Sequence, residues 1–464
     1  MKNYPRIKKF VRFFSNLKIA VAVIVVLGII TAYGTIMESR YNTMTAQKLI
    51  YHSWSMYTIQ GFLCFILIMV MIDRWPWKKH QIGFVMAHIG LITLLYGSFV
   101  TKKWGVDGTL SFGIGQSSRA VVVDDIDFLV FGSFDGINYK NLHIKTVDFF
   151  LNPPTKERPY KVSLPPGDLV IDEYAPYAFV ERKIVPRPGT KKGAGLRFQL
   201  QNQFANILDW VVQREEMRGA TTQFGPLTMV LVTGDYQWSK KSNEIVLFTQ
   251  GDKPELKYKI YSQKEGKEVR SGALKIGDEI VTPWMGMTFR VINYYPRAEE
   301  ETHVIARDYP TQLTTQAIKV NFNGESRWQP LNQPLRFFTE SEAYVVEYRN
   351  REIILDFDLY LKEFKMGTYQ GTSRASSYQS LVSVPDLGDI TISMNEPLKH
   401  RGFTFYQASF QQDNNGKPVA SILSVNRDPG RFIKYLGSIC VVLGTILMFH
   451  YRNNYFGKQK KEAA

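Results

Sequence analysis

Cysteine is almost absent, with Cys64 and Cys440 the only two in 464 residues. Residues 102–430 contain none, so no disulfide framework staples that stretch and it offers no thiol pair for exchange. Both cysteines fall in apolar runs, where they read as small packing residues. Charge is missing from four such runs, 19–37, 55–72, 81–101 and 435–451, which hold no Asp, Glu, Lys or Arg. There is no repeat of fixed period and no low-complexity tract, which excludes solenoids and disordered tails.

Each charge-free run is close to the ~20 residues a helix needs to cross a bilayer. The first follows a basic segment as a secretory signal would, yet it is too long for such a signal and no small-residue cleavage site follows it. It reads as an uncleaved anchor. The fourth run is the shortest, and Arg431 and Lys434 are expected to snorkel to the interface.

The net charge of +15 is unevenly spread. Residues 1–18 hold six Lys and Arg, 74–79 hold three and the tail after Tyr451 holds four, against only Asp73 and Glu462. Residues 102–430, in contrast, hold 40 basic and 39 acidic side chains. An excess confined to membrane flanks is a topology signal and not a nucleic-acid surface. The expected organisation is a cytoplasmic segment 1–18, spans 19–37, 55–72, 81–101 and 435–451, an external loop 38–54 along the membrane surface, a cytoplasmic turn 73–80, an extracytoplasmic domain 102–430 and a cytoplasmic tail 452–464. Both termini are then cytoplasmic.

From about Val106 the hydrophobic period changes from helical to alternating. Residues 168–173, 227–233, 287–293, 317–323, 343–348 and 353–361 are short, β-branched or aromatic, and punctuated by Gly, Pro, Asn and Asp. The expected fold is four transmembrane α-helices plus a large, mainly-β, sandwich-like domain in one or two lobes. Residues 203–217 are expected to be helical, and the charged segment 297–303 marks a lobe boundary near 297–312.

Of seven histidines, only His88 lies well inside a span. An ionisable side chain at that depth is expensive and suggests function by default. Gly83, Gly90 and Gly97 recur every seven residues and form one slowly drifting stripe suited to close helix packing. His88 falls on the opposite side of the wheel, among Phe84, Leu91, Ile92, Leu95 and Phe99. An imidazole ringed by apolar groups suits the iron of a planar macrocycle. Position alone leaves a second reading open, a histidine hydrogen-bonded to a neighbouring helix. His52, His80, His143, His303, His400 and His450 lie outside the spans or near the surface, and His400 reads as a turn residue.

Three segments carry a family resemblance: Gly34 to Ser39 leaving the first span, Gly83 to Gly97 with His88, and Asn395 to Ser409 followed by Asn426 to Gly430. In their order and topology the chain resembles the ResB family, also called CcsB, of cytochrome c maturation proteins. The resemblance implies a bacterial cytoplasmic-membrane subunit that works with a ResC or CcsA-like membrane partner. Together they would carry haem b across the membrane and support its attachment to the Cys-x-x-Cys-His motif of apocytochrome c, a haem synthase or lyase activity this chain would not have alone. The family's third-span histidine maps onto His88, which would be an axial ligand of the haem iron; no catalytic residue is implied. The partner's Trp-rich haem-handling segment is absent, since Trp75 and Trp77 lie in the cytoplasmic turn. A thioredoxin-like protein would have to keep the apocytochrome reduced. The alternatives are a membrane-anchored scaffold for an extracytoplasmic protein, with His88 merely structural, and, last, a small-molecule transporter subunit.

Overall fold

The computed structural model describes residues 5–462, apart from positions 136, 191, 215–218, 225–226, 285, 340–341, 372–374 and 414–416. The ends of the two terminal segments, 1–4 and 463–464, therefore lie outside the described residues, as do 215–217 of the expected helix. The described helices are α1 (Pro5–Phe14), α2 (Leu17–Arg40), α3 (Thr43–Ala46), α4 (Trp54–Asp73), α5 (Ile82–Trp104) and α6 (Arg431–Glu462). Four are long and apolar enough to cross a membrane: α2, α4, α5 and the Arg431–Tyr451 part of α6. This is a membrane protein with a large, mainly-β domain between its third and fourth spans.

Local chemistry sets the helix starts. The Asn16 side chain accepts from Lys18 N at 2.9 Å and the Ser53 hydroxyl from Met56 N at 3.3 Å, capping α2 and α4. α1 has Phe10 and Phe14 four residues apart on one face, and both rings meet Phe65 of α4 edge-on. The 38–54 loop is folded. α3 and a π-helical turn, Gln47–Tyr51, pack on strands of the β domain. Thr45 and Tyr177 share a hydrogen bond of 2.6 Å, and Lys48 pairs with Asp148 at 2.9 Å.

The chain divides into two units, one of Met1–Tyr177 with Asp308–Ala464 and the other of Ala178–Arg307. In the first, a ten-stranded sheet follows the spatial order Gly388–Ser393, Ala375–Val384, Ala343–Thr368, Ser117–Ser133, Val106–Gly113, Pro418–Arg427, Phe403–Gln412 and Leu398–His400, with two further strands beside it. The two long strands, Ala343–Thr368 and Ser117–Ser133, pair antiparallel with register shifts after Asn350 and Ile354. Shifts of this kind bend a ladder. On one side of them Phe128, Val130, Tyr344, Val346 and Tyr348 line one core; on the other Val121, Leu355, Phe357, Leu359 and Leu361 line a second, which Phe405, Leu423 and Val425 complete. The strict alternation of Leu355, Phe357, Leu359 and Leu361 with Asp356, Asp358 and Tyr360 puts one set inside and the other outside.

The second unit is a sandwich. A four-stranded sheet with Gly195–Gln201 and Thr288–Tyr295 at its centre and a five-stranded sheet containing Leu227–Thr233 and Asn243–Thr249 enclose one core. One expectation is corrected here. Residues 203–214 are not helical but supply the strand Asn206–Val212, paired with Gly195–Gln201. Ile207 and Val211 are four apart, a spacing that serves one face of a helix or of a strand equally, and strand pairing decides between them. The expected lobe boundary near 297–312 is met, since the second unit ends at Arg307; residues 298–303 of the charged segment lie in the strand Ala298–Ala306, paired with residues 178–186, beside which Arg187 bonds Glu299 at 3.0 Å.

Candidate functional site

The frame of the site is the antiparallel pair α5 and α6. A Cβ added to Gly90 would lie 2.7 Å from the Gly437 carbonyl oxygen, and one added to Gly83 would lie 2.6 Å from that of Gly444. The α5 stripe thus meets a second stripe of the same spacing, Gly430, Gly437 and Gly444, which sequence reading passed over although the period was visible. With no side chain at these crossings the two backbones touch directly.

The upper end of this pair is closed by polar groups. Asp428 accepts from Thr101 at 2.6 Å, Lys434 at 2.7 Å and Gly430 N at 3.0 Å, while Asn426 accepts from Arg431 at 3.2 Å. Burial opposes the charge on Asp428, but the bonds from Lys434 and Thr101 outweigh it and hold the carboxyl below the ordinary aspartate value. The charges of Arg431 and Lys434 turn to Asn426 and Asp428, just before the fourth span. The Gly34 to Ser39 segment has an equally local purpose. Gly34 leaves room for the Tyr51 ring, and Glu38 accepts from Thr43 at 2.8 Å.

His88 lies on the side of α5 turned away from the glycine seam and is half-buried. Its Nδ1 is 2.8 Å from the Phe84 carbonyl oxygen one turn earlier. A carbonyl can only accept, so Nδ1 carries the proton and the neutral ring presents a bare lone pair at Nε2. The Phe84 ring lies against the imidazole, with centroids 3.9 Å apart. Leu91 and Phe99, further along α5, are exposed apolar groups.

His52, His143 and His400 are held differently. His52 Nδ1 is 3.0 Å from the Lys102 ammonium, which must donate, so its lone pair is occupied. Burial, and then the Lys102 charge, keep the His52 pKa below the ordinary histidine value. His143 bonds the Tyr160 hydroxyl at 2.9 Å. His400 is not merely a turn residue: its side chain is 11% exposed, its ring lies 4.6 Å from that of Phe357, and Nε2 stands 3.8 Å from Asp386. It ends a strand, and the turn that follows is made by Arg401 and Gly402, both at positive φ. His303 lies on the strand Ala298–Ala306, His80 in the turn before α5, and His450 near the end of the fourth span. Among the described residues no three His, Cys, Asp or Glu side chains converge to hold a metal ion.

The Asn395 to Ser409 segment is structural in the main. Phe403 and Phe405 are buried in the second core, and Gln407 closes a buried polar cluster with Ser380 at 2.6 Å and Ser421 at 3.2 Å.

Comparison with known proteins bears on this part of the chain. The model of the ResB-like family matches residues 337–422, the strands that wrap this second core. Protein NrfI of Wolinella succinogenes is 36% identical over 104 residues, an overlap of 21% of this chain and 11% of that protein. The chain therefore spans only a small part of the length of that relative. His88 lies outside the matched family stretch, and its role rests on its geometry. Through the strands that close this core, in a chain with four helices long and apolar enough to cross a membrane, the protein is similar to the ResB-like family.

Proposed function

We propose that this chain acts in cytochrome c maturation as a membrane subunit that holds haem b at His88, in a complex with a ResC or CcsA-like partner. The observation that carries the reading is the His88 Nδ1 bond to Phe84, which leaves Nε2 as a free donor beside an aromatic ring and an open apolar face. Such a second partner on the distal nitrogen is what fixes ligating histidines elsewhere. A single imidazole cannot hold an ion unaided, so the iron must arrive with its own equatorial nitrogens, as a porphyrin supplies them. One axial position then remains for the partner.

Haem is cargo here. The cluster of basic residues at the α4–α5 turn supports a cytoplasmic location for that turn, with the β domain extracytoplasmic. The complex would bring haem to the outer side, where each apocytochrome thiol adds S–H across one vinyl double bond. The β domain would receive the apocytochrome or the partner's outer segments.

The test is the haem absorbance of the complex purified with wild-type chain, with His88→Ala, and with His88→Ala plus imidazole. Loss of axial-imidazole absorbance in the variant, restored by free imidazole, is the expected result. Unchanged haem content and unchanged maturation in the variant would sink this reading and leave a membrane-anchored scaffold in its place.

A further inference from the structure

His88 does not stand alone at the start of α5. The guanidinium carbon of Arg74, at the end of α4, lies 4.0 Å from the centre of the Phe84 ring, whose other neighbour is the His88 imidazole at 3.9 Å. Cation, aromatic ring and imidazole are therefore within two stacking distances of one another. Asp73, the nearest carboxylate in sequence, is engaged elsewhere and accepts from Ser15 at 2.9 Å. Among the described residues no carboxylate pairs with Arg74, which is exposed.

A guanidinium laid against a ring keeps its edge free, and that edge is a fork of N–H donors matched to a carboxylate. Trp77 fixes the turn that carries it by donating to the Met71 carbonyl at 2.9 Å, and its ring packs edge-on against Trp75. The arrangement thus offers a metal-ligating nitrogen and an anion fork a short distance apart, with the fork at the polar end of the helices and the nitrogen one turn deeper. That spacing suits a planar amphiphile with iron at its centre and a carboxylate on its rim.

We propose that Arg74 binds a carboxylate of the same planar ligand whose iron His88 holds, and so sets which edge of that ligand faces the α4–α5 turn. The proposal rests on the haem reading of His88. It assigns Arg74 a role in ligand recognition that the point charges of Lys78 and Lys79 cannot replace.

The experiment uses the full chain in a non-ionic detergent, titrated by absorbance with iron protoporphyrin IX and, separately, with its dimethyl ester, which lacks the ionised carboxylates. Wild type is expected to bind the diacid about tenfold or more tightly than the diester, the scale of one charge-assisted hydrogen-bonded pair. Arg74→Gln should remove that preference by weakening the diacid alone, with diester binding unchanged as the internal check on folding. Equal weakening of both ligands, or of neither, overturns the proposal. His88→Ala should weaken both and shift the absorbance band. If His88→Ala changes nothing, the haem reading itself falls; if it acts as expected while Arg74→Gln shows no acid-over-ester effect, only the role of Arg74 is lost.

Discussion

At the scale of single residues, one hydrogen bond separates His88 from His52, His143 and His400. The Phe84 carbonyl selects the tautomer, and the lone pair that remains faces away from the glycine seam. Asp428 is the second decisive residue, since it accepts from Thr101, Lys434 and Gly430 at once. Asp428→Asn should cost about 1–3 kcal/mol, the usual range for charged groups left without a partner. The sign of its pH dependence follows from its lowered pKa. The stabilisation is fully present above the ordinary aspartate range and is lost as pH falls through the folded value. Thermal melts of the detergent-solubilised protein from neutral pH to about pH 3 should show a steeper acid loss for wild type than for Asp428→Asn. Parallel curves would remove Asp428 from the account. In the β domain, Phe405→Ala should cost about 3–5 kcal/mol, because Phe405 is fully buried; denaturant midpoints would measure it.

At the scale of elements, α5 and α6 approach to backbone contact at their glycines, with Val441 and Leu94 side chains packed against the same crossings. Gly90→Ala would place a methyl 2.7 Å from both the Gly437 carbonyl oxygen and the Val441 nitrogen, and neither backbone atom can give way without parting the helices. The expected loss is about 1–3 kcal/mol, read as a lower melting temperature. Gly28 and Gly61 are the controls, since a Cβ at either meets nothing within 4 Å. Alanine at those two sites should be neutral or mildly stabilising, because alanine favours helix over glycine. If all three substitutions behave alike, the close approach at Gly90 is not what holds the pair.

At the scale of the whole molecule, the chain enters and leaves its second unit through two paired strands. Ala178 and Ala306 are directly opposite each other in the antiparallel register of residues 178–186 with 298–306. A segment whose ends meet in this way can be removed without stretching the chain. Replacing Ala178–Arg307 by a short Asn-Gly turn should leave the first unit folded, with its matched family strands and its membrane helices intact. Circular dichroism and gel filtration in detergent check this; aggregation of the shortened chain would show that the two units depend on each other for folding.

The sequence by itself determined the four spans, the change to a two-residue period near Val106 and the placing of His88 opposite a glycine stripe. These are properties of neighbouring residues, and apolar length and periodicity are enough to set them. What only the tertiary structure decided depends on residues far apart in the chain. The sequence 206–212 suits helix or strand until Gly195–Gln201 pairs with it, and Gly430, Gly437 and Gly444 acquire meaning only when they meet Gly83, Gly90 and Gly97. The same holds for Lys102 on His52, Thr101 on Asp428 and Lys48 on Asp148. Each is a charge whose partner is set by how helices and strands pack, and no local pattern encodes that register.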